Sequence, residues 1–408
     1  MTQNFNPSAS GGGAVAGGAV AGGAPKGGAV AGGAAQGGAV AGGEAQGGAV
    51  AGQPGPAESP GQPGPTESPG QPGPAEFPGQ ATPPSGPARA DDAARARDAL
   101  ARIQREVRKA VVGQDQAVTA LLIGLLTRGH VLLEGVPGTA KTLLIRALAR
   151  SLDLETQRIQ FTPDLMPGDV TGSLIYDRAA GDFNFRPGPV FTNLLLADEI
   201  NRTPPKTQSA LLEAMAERQV SVDRKTHALP SPFLVAATQN PVESEGTYPL
   251  PEAQLDRFTM KVIVNLPNRA DEVEIVHRHA RGFDATDLES AGIQPVAGAA
   301  DIEAGIGAVK AVTITEDVAG YIVDIARATR SAPSLRFGMS PRAATALLAT
   351  SRAWAWLSGR DFVTPDDVKM MTPATIAHRL GLRPEAELEG ISTYSVLQSA
   401  LDSVPVPR

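Results

Sequence analysis

The sequence predicts an α/β protein: a parallel sheet of five strands, followed by a small all-helical domain and preceded by a disordered arm. Short, uninterrupted apolar runs alternate with helical stretches between residues 91 and 267, as in parallel sheets covered on both faces. Helical periodicity dominates from residue 268 to residue 408. Residues 1–90 are rich in glycine, alanine and proline. The predicted domains are therefore 1–90, 91–267 and 268–408.

The arm is built from two short repeats. A GGAVA unit occurs at residues 12–16 and again at 47–51, and three nine-residue units begin at Gly52, Gly61 and Gly70. Such composition buries too little apolar area to offset a chain entropy of about 1–2 kcal/mol per residue. We expect a flexible Gly/Ala segment followed by a stiffer, polyproline-like spacer. Its purpose stays open between a solvated spacer and a tether that docks a partner.

Composition narrows the classes of function. The chain has a net charge of −7 and no cysteine. The acidic balance weighs against a protein that binds nucleic acid or a membrane surface through a basic field. The lack of cysteine excludes disulfides, thiolate metal sites and cysteine nucleophiles. No signal-peptide pattern opens the chain, and no apolar run approaches the roughly 18–20 residues that cross a bilayer. We therefore expect a cytoplasmic protein without membrane insertion.

The elements of the two ordered domains follow from apolar periodicity. Helices are predicted at residues 93–109, 115–127, 141–152, 205–217, 270–281, 316–331, 341–358 and 365–380. Strands are predicted at residues 130–135, 156–161, 193–198, 233–238 and 259–266. An insertion at 162–189 contains alternating segments on either side of Gly181 and Asp182, which predicts a β-hairpin. We leave open whether that hairpin only pads the domain or grips a partner.

A glycine-rich turn connects the first strand to the third helix. In such a turn, backbone N–H groups and the start of the helix surround phosphate oxygens. Lys141 would contact the β- and γ-phosphates, and Thr142 would bind Mg²⁺. Ala140 stands where glycine usually precedes the lysine, and we expect this to be a small change if the residue is already helical. The turn consists of Gly135, Val136, Pro137, Gly138, Thr139, Ala140, Lys141 and Thr142.

Polar side chains end two of the predicted strands. Asp198 and Glu199 follow the apolar run LLLA, and Asn240 follows the next strand. Open α/β sheets bind ligands at the C-terminal ends of their strands. Asp198 can hold a water of Mg²⁺, Glu199 can polarise the water that attacks the γ-phosphorus, and the Asn240 amide could orient that water. Taken singly, the carboxylates could also form a solvated turn and Asn240 a turn before Pro241.

The chain resembles the MoxR family of AAA+ ATPases in the stretches GVPGTAKT, LLLADEINRTPPKTQSALLEAMAERQV, ATQNPVESEGTYPLPEAQLDRF and GMSPRA. The likeness covers roughly residues 95–400 and leaves the arm outside. It implies an AAA+ P-loop core with sheet order 5-1-4-3-2, a helical lid, and assembly into a homo-oligomeric ring, usually a hexamer. It also implies ATP and Mg²⁺ as ligands and an ATPase activity.

The resemblance implies roles for single residues. Asn240 matches the sensor asparagine, Arg257 in LDRF the arginine finger, and Arg342 in SPR the lid sensor. A guanidinium suits such roles because it donates two hydrogen bonds to phosphate and stays charged. Without the resemblance, both arginines would be interpreted as surface or salt-bridging residues. The element that flanks the adenine is matched by the turn of Val111, Val112, Gly113 and Gln114.

The leading hypothesis for function is a remodeller that uses ATP hydrolysis to move the lid against the core and act on a protein client. The resemblance implies maturation or assembly of other proteins, together with a partner that carries a von Willebrand factor A domain. The first alternative is a nucleic-acid motor, against which the acidic balance weighs. The second is a scaffold that binds ATP but barely hydrolyses it, which the presence of Glu199 and Arg257 disfavours.

Overall fold

A computed structural model describes residues 87–179, 181–241 and 246–407 of the chain. The predicted arm over residues 1–90 lies outside the described residues, except for 87–90, where the first helix begins. Up to residue 263 the elements are α1 (Pro87–Ala110), α2 (Asp115–Thr127), β1 (Val131–Glu134), α3 (Lys141–Ser151), β2 (Leu152–Asp153), β3 (Thr156–Gln160), α4 (Pro167–Thr171), β4 (Gly172–Asp177), β5 (Asp182–Pro187), β6 (Leu194–Asp198), α5 (Pro205–Glu217), β7 (Gln219–Val222), β8 (Lys225–Ala228), β9 (Leu234–Gln239), α6 (Glu252–Leu255) and β10 (Met260–Ile263).

The remaining elements are mostly helices. They are α7 (Arg269–Ala280), β11 (Ala297–Gly298), α8 (Ala299–Ala311), α9 (Glu316–Ser331), β12 (Leu335–Phe337), α10 (Pro341–Leu357), α11 (Pro365–Ile376), β13 (Gly381–Leu382), α12 (Pro384–Leu388) and α13 (Thr393–Ser403). Two 3₁₀ turns, Ile200–Arg202 and Ala377–Arg379, follow β6 and α11. Among the described residues, no helix combines the length and the apolar character that crossing a membrane requires.

Five parallel strands form the central sheet in the order β10-β1-β9-β6-β3. With these five strands numbered along the chain, the order is 5-1-4-3-2, and the prediction is confirmed. β6 pairs with β3 on one side and β9 on the other, so that Asp198 lies opposite Gln160 and Leu194 opposite Leu234. All five residues of β6 are buried, which explains why its apolar run is uninterrupted.

The sheet separates two apolar clusters. In β1, Val131 and Leu133 belong to the cluster that contains α1, α2 and the C-terminal helices, whereas Leu132 belongs to the cluster that contains α5. Successive side chains of a strand point to opposite faces, so both faces of the sheet are covered. This is the arrangement expected from β6 and β9, which are almost wholly buried, whereas four of the five residues of the edge strand β3 are exposed.

After residue 268, helices dominate, as predicted, and α9 has the predicted bounds. Helix α8 was not predicted, because glycines lower helix propensity and it contains two of them. A Cβ on Gly305 would lie 2.7 Å from Cδ2 of Leu126, so glycine lets α8 approach α2 closely. Short strands are also present: β12 pairs with β13 antiparallel, and β11 pairs with β2 parallel.

Two antiparallel hairpins project from the sheet domain. Strands β4 and β5 pair within the stretch where the sequence predicts a hairpin, and β7 pairs with β8 in a second hairpin that was not predicted. The ring of Phe185 in β5 stacks on His227 in β8, with 4.1 Å between the ring centroids. Farther out, Tyr176 and Phe183 pair at 5.1 Å and are both exposed. The hairpins therefore contact each other through aromatic rings.

A buried imidazole connects β1 to its neighbours. Nε2 of His130 donates a hydrogen bond to the carbonyl oxygen of Met215 in α5 at 3.1 Å, and Nδ1 accepts one from the backbone N–H of Val235 in β9 at 3.0 Å. The two bonds require the neutral ring protonated on Nε2. Burial lowers the pKa of His130 to about 4.

We expect the protein to lose stability as the pH falls from 7 to 5. Below about pH 6.5 the unfolded chain binds a proton at His130, while the folded imidazole stays neutral until about pH 4. This residue should lower the free energy of unfolding by about 1.4 kcal/mol per pH unit. Denaturant titrations of the wild type and His130→Gln at pH 7, 6 and 5 measure the difference in slope.

The exposed His277 provides the matched control: His277→Gln makes the same substitution outside the core and leaves both hydrogen bonds of His130 in place. If His130→Gln lost stability with pH as steeply as the wild type, His130 would not be the group responsible.

Candidate functional site

The glycine-rich turn follows β1 and leads into α3. A Cβ on Gly135 would lie 2.5 Å from the carbonyl oxygen of Val264, and Gly138 has a φ of +85°, so both positions require glycine. Lys141 is the first residue of α3, and its Nζ donates to the carbonyl oxygens of Gly135 and Val136 at 2.6 and 2.9 Å. The ammonium group therefore lies within the turn, beside the N-terminus of an eleven-residue helix.

Residue 140 is not helical. Ala140 has φ 61° and ψ 24°, which is the left-handed region, and it immediately precedes α3. The condition under which we expected alanine to be a small change, a helical residue 140, is therefore not met. In this region the Cβ of an L-residue approaches the following carbonyl oxygen, at a cost of about 1–2 kcal/mol. A glycine at this position would avoid that cost, whereas Ala140 does not.

The carboxylate of Asp198 is buried and accepts hydrogen bonds from three other elements. The donors are Thr142 Oγ1 in α3 at 3.0 Å, Thr238 Oγ1 in β9 at 2.6 Å, and Arg158 Nη2 in β3 at 2.8 Å. The Thr142 hydroxyl and the Asp198 carboxylate are hard oxygen ligands side by side. This donor set fits Mg²⁺, which is usually bound through one or two protein oxygens together with water and substrate phosphates.

Glu199 follows Asp198 in a strained conformation. Its φ is 57°, and its backbone N–H donates to Thr238 Oγ1 at 2.8 Å. Its Oε2 accepts hydrogen bonds from Gln160 Nε2 at 2.9 Å and from Arg202 Nη1 at 3.0 Å. The side chain is therefore held by two partners. Left-handed backbone at a non-glycine residue costs about 1–3 kcal/mol and is concentrated at functional sites.

Four polar residues that contact the two carboxylates were missed in the sequence: Arg158, Gln160, Arg202 and Thr238. The first two lie on β3, whose residues pair in parallel register with those of β6, so that Gln160 lies opposite Asp198. The available signal was the implied strand order, which places β3 beside β6. Polar residues at the end of β3 could therefore have been expected near the carboxylates.

A cavity of about 440 Å³ is lined by residues 137–142, by Asp198 and Glu199, and by Asn240. It brings together most of the residues that the sequence predicts for the site. Burial lowers the pKa of Lys141, and the negative charges of the two carboxylates act in the opposite direction. The cavity thus has the Lys141 ammonium group at the helix start, and at the strand ends the Asp198 and Glu199 carboxylates with the Arg158 guanidinium beside them.

The predicted adenine element lies next to this cavity but does not line it. Gln114 is buried, and its Nε2 donates to the carbonyl oxygen of Asn265 at 3.0 Å. Gly113 has a φ of +76°, and a Cβ there would lie 2.6 Å from the carboxylate of Asp271. Val112 precedes it. Since Asn265 follows β10 and β10 pairs with β1, these residues lie beside the base of the glycine-rich turn.

The two predicted arginines lie elsewhere, in a second cavity of about 230 Å³. Arg257 donates to the carbonyl oxygen of Leu212 at 3.2 Å, and Arg342 lies 3.5 Å from Asp256. This cavity lies at the N-terminal ends of β1 and β10. There the N–H of residue 259 donates to the carbonyl oxygen of residue 130 at 2.8 Å, which joins the starts of the two strands. The glycine-rich turn lies at the other end of the same parallel strands. The structure therefore does not bring Arg257 or Arg342 to Lys141 of the same chain.

Replacing Ala140 with glycine should stabilise the protein by about 1 kcal/mol, because it removes the left-handed strain while adding some chain entropy. The shift in the denaturation midpoint measures this change. Ala149→Gly, in the interior of α3 and three residues before its C-cap, is the matched control and should destabilise by about 1 kcal/mol. Destabilisation by both changes would contradict the left-handed assignment of residue 140.

Comparisons with known proteins agree with this geometry. The profile of the ATPase family associated with various cellular activities (AAA) matches residues 130–260, and that of the AAA lid domain matches residues 327–400. The chain is 46% identical to protein YeaC of Bacillus subtilis over 74% of this chain and 92% of that protein. It is 44% identical to chaperone MoxR1 of Mycobacterium tuberculosis over 74% of this chain and 81% of that protein. A crystal structure of a candidate ATPase from Cytophaga hutchinsonii superposes with a TM-score of 0.72 at 42% identity, covering 79% of this chain and 98% of that one. The strand order of the sheet and these similarities in sequence and structure show that the chain belongs to the MoxR family of AAA+ ATPases.

Proposed function

We propose that this protein binds ATP with Mg²⁺ and hydrolyses it to ADP and phosphate in the 440 Å³ cavity. One arrangement carries the proposal. The Thr142 hydroxyl lies 3.0 Å from the Asp198 carboxylate, beside the start of α3, and Glu199 is the next residue. A cation-binding oxygen pair, a helix N-terminus and a candidate base are the parts that phosphoryl transfer to water requires.

Binding of the triphosphate would use the turn and Lys141. The ammonium group would exchange the carbonyl oxygens of Gly135 and Val136 for oxygens of the β- and γ-phosphates, while backbone N–H groups at the start of α3 donate to the same groups. Thr142 and Asp198 would hold Mg²⁺, which, when bound, neutralises charge on the phosphates. Val112, Gly113 and Gln114 would border the adenine, because they lie beside the base of the turn.

Hydrolysis would use Glu199 as the group that accepts a proton from the attacking water. Its Oε2 is hydrogen-bonded to Gln160 and Arg202 here, so one of these bonds must be exchanged for a bond to water before the reaction. Asn240 lines the same cavity and would orient that water. Gln160 and Arg202 would then hold the base in a resting position.

The position of the arginines supports assembly. Arg257 and Arg342 lie at the end of the sheet opposite to Lys141, so they can reach a triphosphate only if it is bound to another copy. We propose a homo-oligomeric ring, hexameric as is usual in the resembling family, in which both arginines complete the site of a neighbour. An arginine finger supplied in this way can accelerate transfer by about 10³–10⁵.

We further propose that the protein remodels a protein client, as the name of the relative chaperone MoxR1 suggests. The core over residues 91–267 would bind the nucleotide, and the helical lid over residues 268–408 would move in response. A partner with a von Willebrand factor A domain and a cytoplasmic location belong to the same proposal, and both rest on family resemblance. Affinity capture with the Glu199→Gln variant and ATP tests for the client and the partner.

Glu199→Gln should bind ATP with wild-type affinity but hydrolyse it about 10²–10⁴ times more slowly, since an amide cannot accept the proton. Nucleotide binding by fluorescence titration and steady-state phosphate release measure the two effects. Glu385→Gln, on the exposed side of α12, is the control and should behave as the wild type. Normal turnover by Glu199→Gln would assign the base to another residue.

Arg257→Ala and Lys141→Ala should each be nearly inactive alone but regain activity when mixed. The first keeps its nucleotide site and the second keeps its arginine, so about a quarter of the interfaces in random mixed rings would be complete. Phosphate release by mixtures measures the recovery. Mixing Lys141→Ala with the double variant Lys141→Ala/Arg257→Ala should recover nothing. If native mass spectrometry detects mixed rings that remain inactive, Arg257 does not act between subunits.

A further inference from the structure

A third arginine lies against the arginine-finger loop. Arg379 ends the 3₁₀ turn Ala377–Arg379, and only 5% of its side chain is exposed. It lines the same cavity as Arg257 and Arg342. Neither the sequence motifs nor the family resemblance assigned it a role.

Arg379 binds the main chain on both sides of Arg257. Its Nη2 donates to the carbonyl oxygen of Phe258 at 2.9 Å and to that of Asp256 at 3.4 Å. The preceding residue, His378, also donates through Nε2 to the carbonyl oxygen of Phe258 at 3.0 Å. Burial lowers the pKa of His378 to about 3, so the ring is neutral at physiological pH and carries the donor hydrogen on Nε2. Two consecutive residues after α11 thus hold the loop from which Arg257 projects.

Asp256 connects the arginines to one another. Its carboxylate lies 3.4 Å from Nε of Arg379 and 3.5 Å from Nη1 of Arg342. Asp256 thus pairs with cations from both the 3₁₀ turn and α10. The loop of the finger, the lid-sensor arginine and Arg379 therefore share a single ion-pair network.

The cavity carries more positive than negative charge. Among the described residues, three guanidinium groups line it, and the one carboxylate in the lining is that of Asp256. Burial lowers the pKa of Arg379, Asp256 acts in the opposite direction, and the charge of Arg342 lowers it again. Nη1 of Arg379 is buried without a hydrogen-bond partner among the described residues. Guanidinium groups clustered in this way are stabilised by an anion, and a phosphate group accepts from several guanidinium groups at once.

We propose that Arg379, supported by His378, is a positioning residue: it fixes the main chain around Arg257 and joins Arg257 and Arg342 into one site for the phosphates of a nucleotide bound to a neighbouring copy. The inference rests on the proposed function, because it assigns a role within the same intersubunit reaction. It adds that the helices after α10 set the geometry of the finger. A merely structural Arg379 would instead support the packing of α11 on β10 and affect all activities alike.

The test uses the full chain and the change Arg379→Lys, which keeps a positive charge but cannot donate to two carbonyl groups and a carboxylate together. We expect turnover to fall about 10²-fold, as for a small misplacement of a catalytic group, with ATP affinity at the variant's own site unchanged. Lost ATP affinity together with a lowered melting temperature would indicate a structural role and overturn the inference.

Mixing experiments separate the possible roles of Arg379. With Lys141→Ala, the Arg379→Lys variant should regain activity, because each mixed interface with an intact nucleotide site then has an intact finger. With Arg257→Ala it should regain none, because both defects lie on the finger side of the interface. Recovery with Arg257→Ala would place Arg379 on the nucleotide side and overturn the inference. Failure of Lys141→Ala to complement Arg257→Ala in mixed rings would instead overturn the proposed intersubunit action of Arg257, on which this inference rests.

His378 provides a second pair of variants in case Arg379→Lys folds poorly. His378→Gln keeps a donor that can reach the carbonyl oxygen of Phe258 and should retain most of the turnover. His378→Leu has a similar volume without the donor, and should lose turnover and complement Lys141→Ala but not Arg257→Ala. Equal turnover in the two variants and the wild type would remove His378 from the proposal.

Discussion

The buried carboxylate of Asp198 is the interaction on which the candidate site depends. It accepts hydrogen bonds from α3, β3 and β9, which are separate stretches of chain. A buried charge is tolerated only where donors compensate its lost hydration. The three donors, Thr142, Arg158 and Thr238, thus fix the glycine-rich turn against the strand ends. The geometry needed to bind a cation is the same geometry that satisfies this carboxylate.

Much of the fold could be predicted, because β6 and β9 are buried on both faces and their apolar runs leave little ambiguity. For the same reason, candidate site residues at the ends of those strands could be predicted: Asp198 is the last residue of β6, and Asn240 directly follows β9. The rest depends on contacts between distant parts of the chain. The partners Gln160 and Arg202 require the strand order and a turn after β6, and the left-handed Ala140 requires the path of the loop. The β7–β8 hairpin is short and half-exposed, so its sequence carries little apolar pattern.

The residues of the proposed intersubunit site lie at the two ends of one parallel sheet. A parallel strand separates its termini by its full length, about 3.3 Å per residue, so side chains at opposite ends of β1 and β10 cannot meet. The chain therefore has the glycine-rich turn at one end of the sheet and a cluster of arginines at the other. The 3₁₀ turn after α11 contacts the arginine end through Asp256 and the carbonyl oxygen of Phe258. Residues late in the sequence thereby hold the loop that carries Arg257.

The stacked rings of Phe185 and His227 couple the movements of the two hairpins. Their planes are only 23° apart, and Phe191 packs edge-on against both rings, so neither ribbon can swing without carrying or unstacking the other. β7 begins directly after α5, the helix that follows the carboxylate strand. A tilt of α5 would move β7 and β8, and the stacked rings would transmit this movement to the β4–β5 hairpin and its exposed tip at Tyr176 and Phe183. Because Tyr176 and Phe183 lie near the tip of the hairpin, they would be displaced farther than α5 itself.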